Sequence, residues 1–231
     1  LLVGFDMIGI SKRYLTDDNW EDKETEEAVL PSVIDNQIIA NNKDGKRVFD
    51  YRGGINGAFN DNRAGAFHRN VGGYHPAKMS RYQDVMSYCI GSSSPTGSGD
   101  IMNNHALDML NCGFIMGISQ DGKSEIVVPR TTALGHAWFV DSVDEAATAK
   151  EALNMINTLN LRKHAVIEGG DYKAGATAGF ALGARNFATD STAAVKRLFY
   201  SNDSIAYESN NNQAGLAVFS EIYYNEKNGA W

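Results

Sequence analysis

The densest cluster of chemically useful side chains lies between residues 57 and 90, around the adjacent glycines Gly72 and Gly73. It combines carboxamide, carboxylate, imidazole, phenol and cationic groups, which together can donate and accept hydrogen bonds and attract charge. The cluster therefore predicts a binding site for a polar ligand. The candidate ligand-binding residues are Asn60, Asp61, His68, Tyr74, His75, Lys78 and Arg81.

Two cations of this cluster indicate what the ligand could be. Pro76 is predicted to begin a helix, so that Lys78 and Arg81 would lie in its first two turns, where cations oppose the helix dipole. An anionic ligand such as a phosphate at that terminus would make the arrangement favourable. The alternative is that Asp61 or Asp84 neutralises both cations. The nucleotide-binding patterns GxxxxGK[ST] and GxGxxG do not occur.

Patterns of metal binding and of catalysis are not found either. His68 and His75 do not have a recognised zinc-ligand spacing, and no GxSxG nucleophile motif occurs. Cys89 and Cys112 lack a CxxC context, and we predict two small buried hydrophobic residues rather than a disulfide. The sequence therefore predicts no bound metal and no cofactor. These residues alone do not establish that the protein is an enzyme.

The composition is that of a folded globular protein. Of 231 residues, 43% are hydrophobic and 21% charged, and the net charge of −7 argues against a nucleic-acid partner. No apolar run reaches the roughly 18 residues that a membrane helix needs. The apolar start at residues 1–5 has no initiator Met and no basic region. We expect these residues to be the end of a longer segment whose upstream part has been removed.

Periodicity predicts an α+β fold with a mixed α/β N-terminal portion followed by a β-rich, sandwich-like C-terminal portion. A long loop is expected over 53–75, and Leu216–Tyr224 is expected to form a central strand covered on both faces. Residues 91–99 are expected to form a flexible linker. Helices are predicted near 31–39, 76–90, after Asp100 and at 143–157, and strands at 47–51, 113–119, 124–128, 137–140, 165–167, 194–200, 204–209 and 215–224. The capping-box pattern Ser142–Glu145 supports the helix at 143–157.

A shift in composition predicts the domain boundaries. Residues 169–190 are rich in Gly and Ala, and they separate an α+β domain at 1–168 from a β-rich part at 191–231.

Four segments, in order along the chain, resemble the extracytoplasmic region of YfhO-family bacterial membrane proteins, in forms most similar to those of Bacteroides-type bacteria. They are AFNDNRAGAFHRNVGGYHPAKMSRYQDVM (58–86), ALDMLNCGFIMG (106–117), ALGHAWFVDSV (133–143) and GLAVFSEIYY (215–224). The opening residues also resemble the family, in which a membrane helix precedes this region. The chain departs from the pattern at 170–187, and it stops at Trp231, where the family continues through further strands to a last membrane helix. The resemblance therefore implies that the β-rich portion could be truncated.

The resemblance implies a domain on the periplasmic or extracellular face of the cytoplasmic membrane. The family's multi-spanning members are similar to polyprenyl-phosphate-sugar-dependent glycosyltransferases of the cell envelope, whose catalytic acid lies in a region that this chain lacks. The fragment would then bind a glycan acceptor or lipid-linked sugar without catalysis, next to its own transmembrane helices. Lys78 and Arg81 would meet phosphate or anionic glycan, Asn60 and Asp61 would bond sugar hydroxyls, and Tyr74 would stack on a sugar.

Two alternatives stay open. The chain could be a structural module that docks on its own membrane helices or on a partner glycosyltransferase, and it would then bind no glycan. It could also be a standalone hydrolase that uses His68 or His75 with Asp61.

Overall fold

The structure is a computed structural model, and it describes residues 2–16, 30–91, 101–168, 186–188, 192–201 and 203–222. The chain divides into two compact units, residues 1–32 and 33–231. The first unit contains helix α1 (Leu2–Tyr14), whose Met7, Ile8 and Ile10 side chains are exposed. Within the described ranges, no helix has both the length and the apolar character needed to cross a membrane.

The second unit confirms the α+β class, with small sheets and a strand-rich C-terminal part. Its helices are α2 (Val33–Asn41), α3 (Gly54–Asn60), α4 (Ser80–Val85), α5 (His105–Met109) and α6 (Ala149–Thr158). Its strands are β1 (Arg47–Asp50), β2 (Cys112–Ile118), β3 (Glu125–Pro129), β4 (Ala137–Val140), β5 (Ser142–Ala146), β6 (His164–Glu168), β7 (Ala194–Tyr200), β8 (Ile205–Asn210) and β9 (Leu216–Phe219).

The largest sheet has the strand order β1–β2–β3, with β1 parallel and β3 antiparallel to β2. The hairpin between β2 and β3 is at its predicted position, where Gly122 adopts a φ of 71° in the turn. β1 is buried along its whole length, and Phe49 packs in the main core with Leu107 and Ile90. This core lies beneath the segment that carries the candidate site.

The predicted loop at 53–75 is wrong in part, because α3 and a 3-10 helix (Arg63–Ala66) lie within it. Ala58 and Ala64 are buried, so packing stabilises helices whose glycine-rich sequences have low intrinsic propensity. The next helix begins at Ser80 rather than Pro76, and it continues into a π-helical turn at Met86–Ile90.

Two predicted helix starts are also wrong. Residues 142–146 form β5, which pairs in parallel with β6, and the N-cap of α6 is Thr148, six residues after Ser142. There Glu151 N donates to Thr148 Oγ1 at 3.2 Å, and Glu151 Oε2 accepts from Ala147 N at 2.8 Å. The helix predicted after Asp100 is α5, which begins at His105. Its N-cap is Asn104, because Asn104 Oδ1 accepts a hydrogen bond from Leu107 N.

The C-terminal strands form two-stranded pairs, β7 with β8 and β4 with β9. The prediction of a central strand is therefore wrong for residues 216–222, since β9 has four residues and pairs with β4 alone among the described strands. Residues 223 and 224 of the predicted strand lie outside the described residues. The side chain of Phe219 is exposed. Residues 92–99 of the predicted linker, and residues 169–185 and 189–190 of the Gly/Ala-rich connection, lie outside the described residues. The domain boundaries stay a prediction.

Candidate functional site

The Gly72–Gly73 turn lies directly against α3. Gly73 N donates to Ala58 O at 2.7 Å, and a Cβ at Gly72 would overlap that same carbonyl oxygen. Gly73 has a φ of 95°, and a Cβ there would come within 2.7 Å of Asn62 Oδ1. Both positions therefore require glycine, and the turn holds the following Tyr74 and His75 at a fixed place beside α3.

Two neighbouring cavities adjoin this turn, and they share Tyr74, His75 and Lys78 as lining residues. Their volumes are about 430 Å³ and about 500 Å³, a size suited to small ligands. The first cavity is lined by Ile55, Asn56, Phe59, Asn60, Tyr74, His75, Lys78, Gln83, Ser87 and Gly91. The second is lined by Asn62, Asn70, Val71, Gly72, Gly73, Tyr74, His75, Ala77, Lys78, Met79, Tyr82 and Ile222.

Lys78 is the cation of both cavities. Its Nζ donates to Gly73 O at 3.1 Å and lies 6.0 Å from the centroid of the Phe59 ring. Burial lowers the pKa of its ammonium group. Among the described residues no carboxylate forms an ion pair with Lys78, so that its charge is available to an anionic ligand.

Hydrogen bonds that involve their backbone neighbourhood fix Tyr74 and His75 in the site. Asn62 Oδ1 accepts from Tyr74 N at 2.8 Å, and Asn62 Nδ2 donates to Tyr74 O at 3.1 Å. Tyr74 is nevertheless 57% exposed, so that its ring is accessible for stacking on a ligand. His75 Nδ1 accepts from Ala77 N at 3.1 Å, so Nε2 carries the proton of a neutral ring and can donate to a ligand.

The structure brings four of the seven candidate residues to the cavities and places three elsewhere. Asn60, Tyr74, His75 and Lys78 line at least one cavity. Asp61 lies at the surface, where its Oδ1 accepts from Arg63 N at 2.8 Å. Arg81 is also exposed and lies 3.5 Å from Glu168 Oε2.

His68 lies in a different environment from the other candidates. Its Nε2 is 2.8 Å from Asp35 Oδ1, and the two side chains are 3% and 1% exposed. This buried pair is not part of either cavity wall. Within the described part of the chain, no hydrogen bond or ion pair joins Asp61 to His68 or His75.

The candidate residues do not include three that line the first cavity, Asn56, Gln83 and Ser87, although their helical spacing could have indicated them. Asn56 and Asn60 are four residues apart on α3, and Asn60 Nδ2 donates to Asn56 O at 2.8 Å. Gln83 and Ser87 have the same spacing and share a hydrogen bond of 2.9 Å. For Asn56 the signal requires a helix at 54–60 to be recognised first, whereas Gln83 and Ser87 lie within the helix predicted at 76–90.

Comparisons with known proteins give no match for this chain: no family model, no curated protein and no solved structure is significantly similar to it. Among the described residues, no group of three or more His, Cys, Asp or Glu side chains could hold a metal ion. Support for a function therefore comes from the geometry of the cavities and from the four sequence segments described above.

Proposed function

We propose that this chain is the extracytoplasmic domain of a YfhO-like membrane protein and that it binds a glycan acceptor or a lipid-linked sugar of the cell envelope. The proposal assigns binding and positioning to this domain and no catalytic step. The observation that carries it is the convergence of Asn60, Tyr74, His75 and Lys78 on two adjoining cavities.

The chemistry of these side chains suits a sugar that bears an anionic group. Carboxamides such as those of Asn56 and Asn60 pair with hydroxyl groups, and the exposed ring of Tyr74 can stack on the apolar face of a sugar. The ammonium of Lys78 is positioned to bind a phosphate or carboxylate. The site combines few polar groups with apolar walls, as small-molecule sites do.

Calorimetric titration of the purified chain with hexose 1-phosphates and cell-envelope glycan fragments tests the proposal. We expect saturable binding that Lys78→Ala weakens about tenfold, the loss expected for one charge-assisted hydrogen bond. Arg81→Ala is the matched control, because it removes an equal charge from a nearby exposed position outside the cavities. Equal affinity of Lys78→Ala and the wild type, or no binding by the folded chain, would overturn the proposal.

A second candidate is a docking module without a ligand, and exposed apolar side chains favour it. Leu198 and Phe199 on β7 are 59% and 54% exposed, and Phe219 and Ile222 are 46% and 47% exposed. Exposed apolar side chains of this size are typical of surfaces that bind another protein or a membrane. Two results together would support this candidate. Charged substitutions at Leu198 and Phe199 would abolish function in the full-length protein, and ligand titration of the purified chain would detect no binding.

A further inference from the structure

Three arginines and one carboxylate lie together where β7 meets the segment that leads into β1. Arg47 and Arg69 both form ion pairs with Glu221, at 2.7 and 2.8 Å. Arg197 lies beside Arg69, since both guanidinium groups contact the Tyr200 ring, with Cζ 5.2 and 4.3 Å from its centroid. Among the described residues, no other carboxylate forms an ion pair with any of these arginines. Two positive charges of the cluster are therefore in excess.

Two polar atoms of this cluster are buried without a partner. They are Arg197 Nη1 and Tyr207 Oη, and neither has a hydrogen-bond partner in the described part of the chain. Arg197 and Tyr207 are directly opposite each other on β7 and β8, so both side chains project from the same face of the hairpin. Burial raises the pKa of Tyr207, and the charges of Glu221 and Arg197 also act on it, so its hydroxyl belongs to the same cluster. Because buried donors are almost always bonded, two unpaired donors on one face indicate an acceptor that binds between them.

The charge and the burial of the cluster restrict what this acceptor can be. Two positive charges in excess favour a dianion over a neutral or singly charged group, and oxygen acceptors match the N–H groups of guanidinium. Tyr200, which contacts two of the arginines, is 42% exposed, so the cluster lies close to the surface. The unpaired atoms themselves are buried, which favours a small ion over one that carries a bulky substituent. Phosphate and sulfate ions meet both requirements.

We propose that this cluster is a second ligand site, which binds one free inorganic dianion, phosphate or sulfate, with Arg197 and Tyr207 as donors and Arg69 as a second cation. None of these three residues lines either cavity, so the site is separate from the one at Lys78. The proposal goes beyond glycan binding and does not depend on it. The ion would connect the β7–β8 hairpin with Arg69, whose carbonyl oxygen accepts from Val48 N of β1 at 2.8 Å. It would therefore stabilise the packing of this hairpin near the largest sheet.

Calorimetric titration of the purified chain with inorganic phosphate at pH 8 tests this proposal. We expect saturable binding that Tyr207→Phe weakens about tenfold, the loss expected for one charge-assisted hydrogen bond. The variant keeps the ring, which packs edge-on against Phe219 with the centroids 4.8 Å apart. Tyr200→Phe is the matched control, because it removes the same group from an exposed ring of the same hairpin, and its phosphate affinity should equal that of the wild type.

Stability without phosphate separates a ligand-binding role of the Tyr207 hydroxyl from a structural one. In buffer free of phosphate and sulfate, Tyr207→Phe should unfold at the same urea concentration as the wild type or at a higher one, because no hydrogen bond is lost. Added phosphate should then stabilise the wild type more than the variant, since a ligand that binds only the folded chain stabilises it by mass action. A loss of stability in Tyr207→Phe with no loss of phosphate affinity would overturn the proposal.

Further titrations place the ion and define its class. Lys78→Ala should bind phosphate as the wild type does, and weaker binding would place the ion in the cavities and overturn the proposal. Phenyl phosphate should bind about tenfold more weakly than inorganic phosphate, and equal affinity would overturn the assignment to a free ion. Sulfate should compete with phosphate, whereas competition by acetate as strong as that by sulfate would overturn the assignment to a dianion.

Failure of this proposal is distinguishable from failure of the proposed function. Absence of saturable phosphate binding by the folded chain, or equal phosphate affinity of Tyr207→Phe and the wild type, would overturn the second site. Hexose 1-phosphate binding that depends on Lys78 tests the cavities separately, and Tyr207→Phe should leave that binding unchanged.

Discussion

The Arg47 guanidinium donates a 2.7 Å hydrogen bond to the Glu221 carboxylate, although 174 residues separate the two in sequence. Arg47 also donates to Leu110 O and Ser220 O, and Arg69 donates to both oxygens of Glu221 at 2.9 and 2.8 Å. The pair therefore connects β1, in the largest sheet, with the segment that follows β9. Glu221 directly precedes Ile222, which lines the second cavity.

Loss of this carboxylate should destabilise the protein. Glu221→Gln keeps the shape of the side chain but leaves two guanidinium groups without their negative partner. Because Arg47 is buried, we expect the free energy of unfolding at pH 7 to fall by about 2 kcal/mol. Urea denaturation measures the change, and the exposed Glu208→Gln is the control, for which a comparable loss would contradict the explanation.

The same pair predicts a dependence of stability on pH. Burial acts to raise the pKa of Glu221, but the hydrogen bond from Arg69 and the charges of Arg47 and Arg69 outweigh it, and the net pKa is lowered. The contribution of Glu221 is therefore fully present above its unfolded pKa of 4.5 and is lost as the pH falls through the lower folded pKa. Unfolding measured from pH 7 to pH 3 should show a smaller acid-induced loss in Glu221→Gln than in the wild type.

A methyl group at Gly72 should damage the candidate site and the fold together. In Gly72→Ala the new Cβ would overlap Ala58 O, so α3 or the turn must move, at a cost of about 3 kcal/mol. Gly57→Ala is the matched control: its Cβ would meet nothing within 4 Å in α3, and alanine favours a helix. Thermal unfolding should show a strong decrease in Tm for Gly72→Ala and no decrease for Gly57→Ala.

Both cysteines should be unreactive in the folded protein. They are free thiols that are completely buried, and burial raises the pKa of each to about 12. At pH 8 we expect a thiol reagent to label neither residue in the native chain and both of them in denaturant. Rapid labelling of either thiol under native conditions would show that its side chain reaches solvent.

Arg130 should be essential to stability rather than to ligand binding. Its side chain is 0% exposed, donates to Met102 O at 2.7 Å and Asn104 O at 3.1 Å, and forms an ion pair with Asp108. Arg130→Leu would leave those carbonyl groups and the carboxylate without their donor, and we expect a loss of about 4 kcal/mol in urea denaturation. The exposed Arg162→Leu should lose less than about 0.5 kcal/mol.

Local patterns correctly predicted the elements whose sequence signal is strong and short in range. The hairpin of β2 and β3 follows from two apolar runs around a polar turn with Gly122, and Cys89 and Cys112 are buried free thiols as predicted. The pattern [ST]-x-x-E occurs at both Ser142 and Thr148, and sequence alone favoured the first. The structure has the cap at Thr148, because residues 142–146 gain more from parallel pairing with β6.

The sequence by itself determined the α+β class, the glycine turn and four residues that the structure places at the cavities, because composition, turn chemistry and clustering act over short distances. Only the tertiary structure decided that His68 pairs with Asp35 in the interior and that Arg47 binds Glu221. It also decided that α3 forms and that Lys78 lines two neighbouring cavities. These features depend on which distant segments pack together, and packing energy outweighs the weak local preference of each segment.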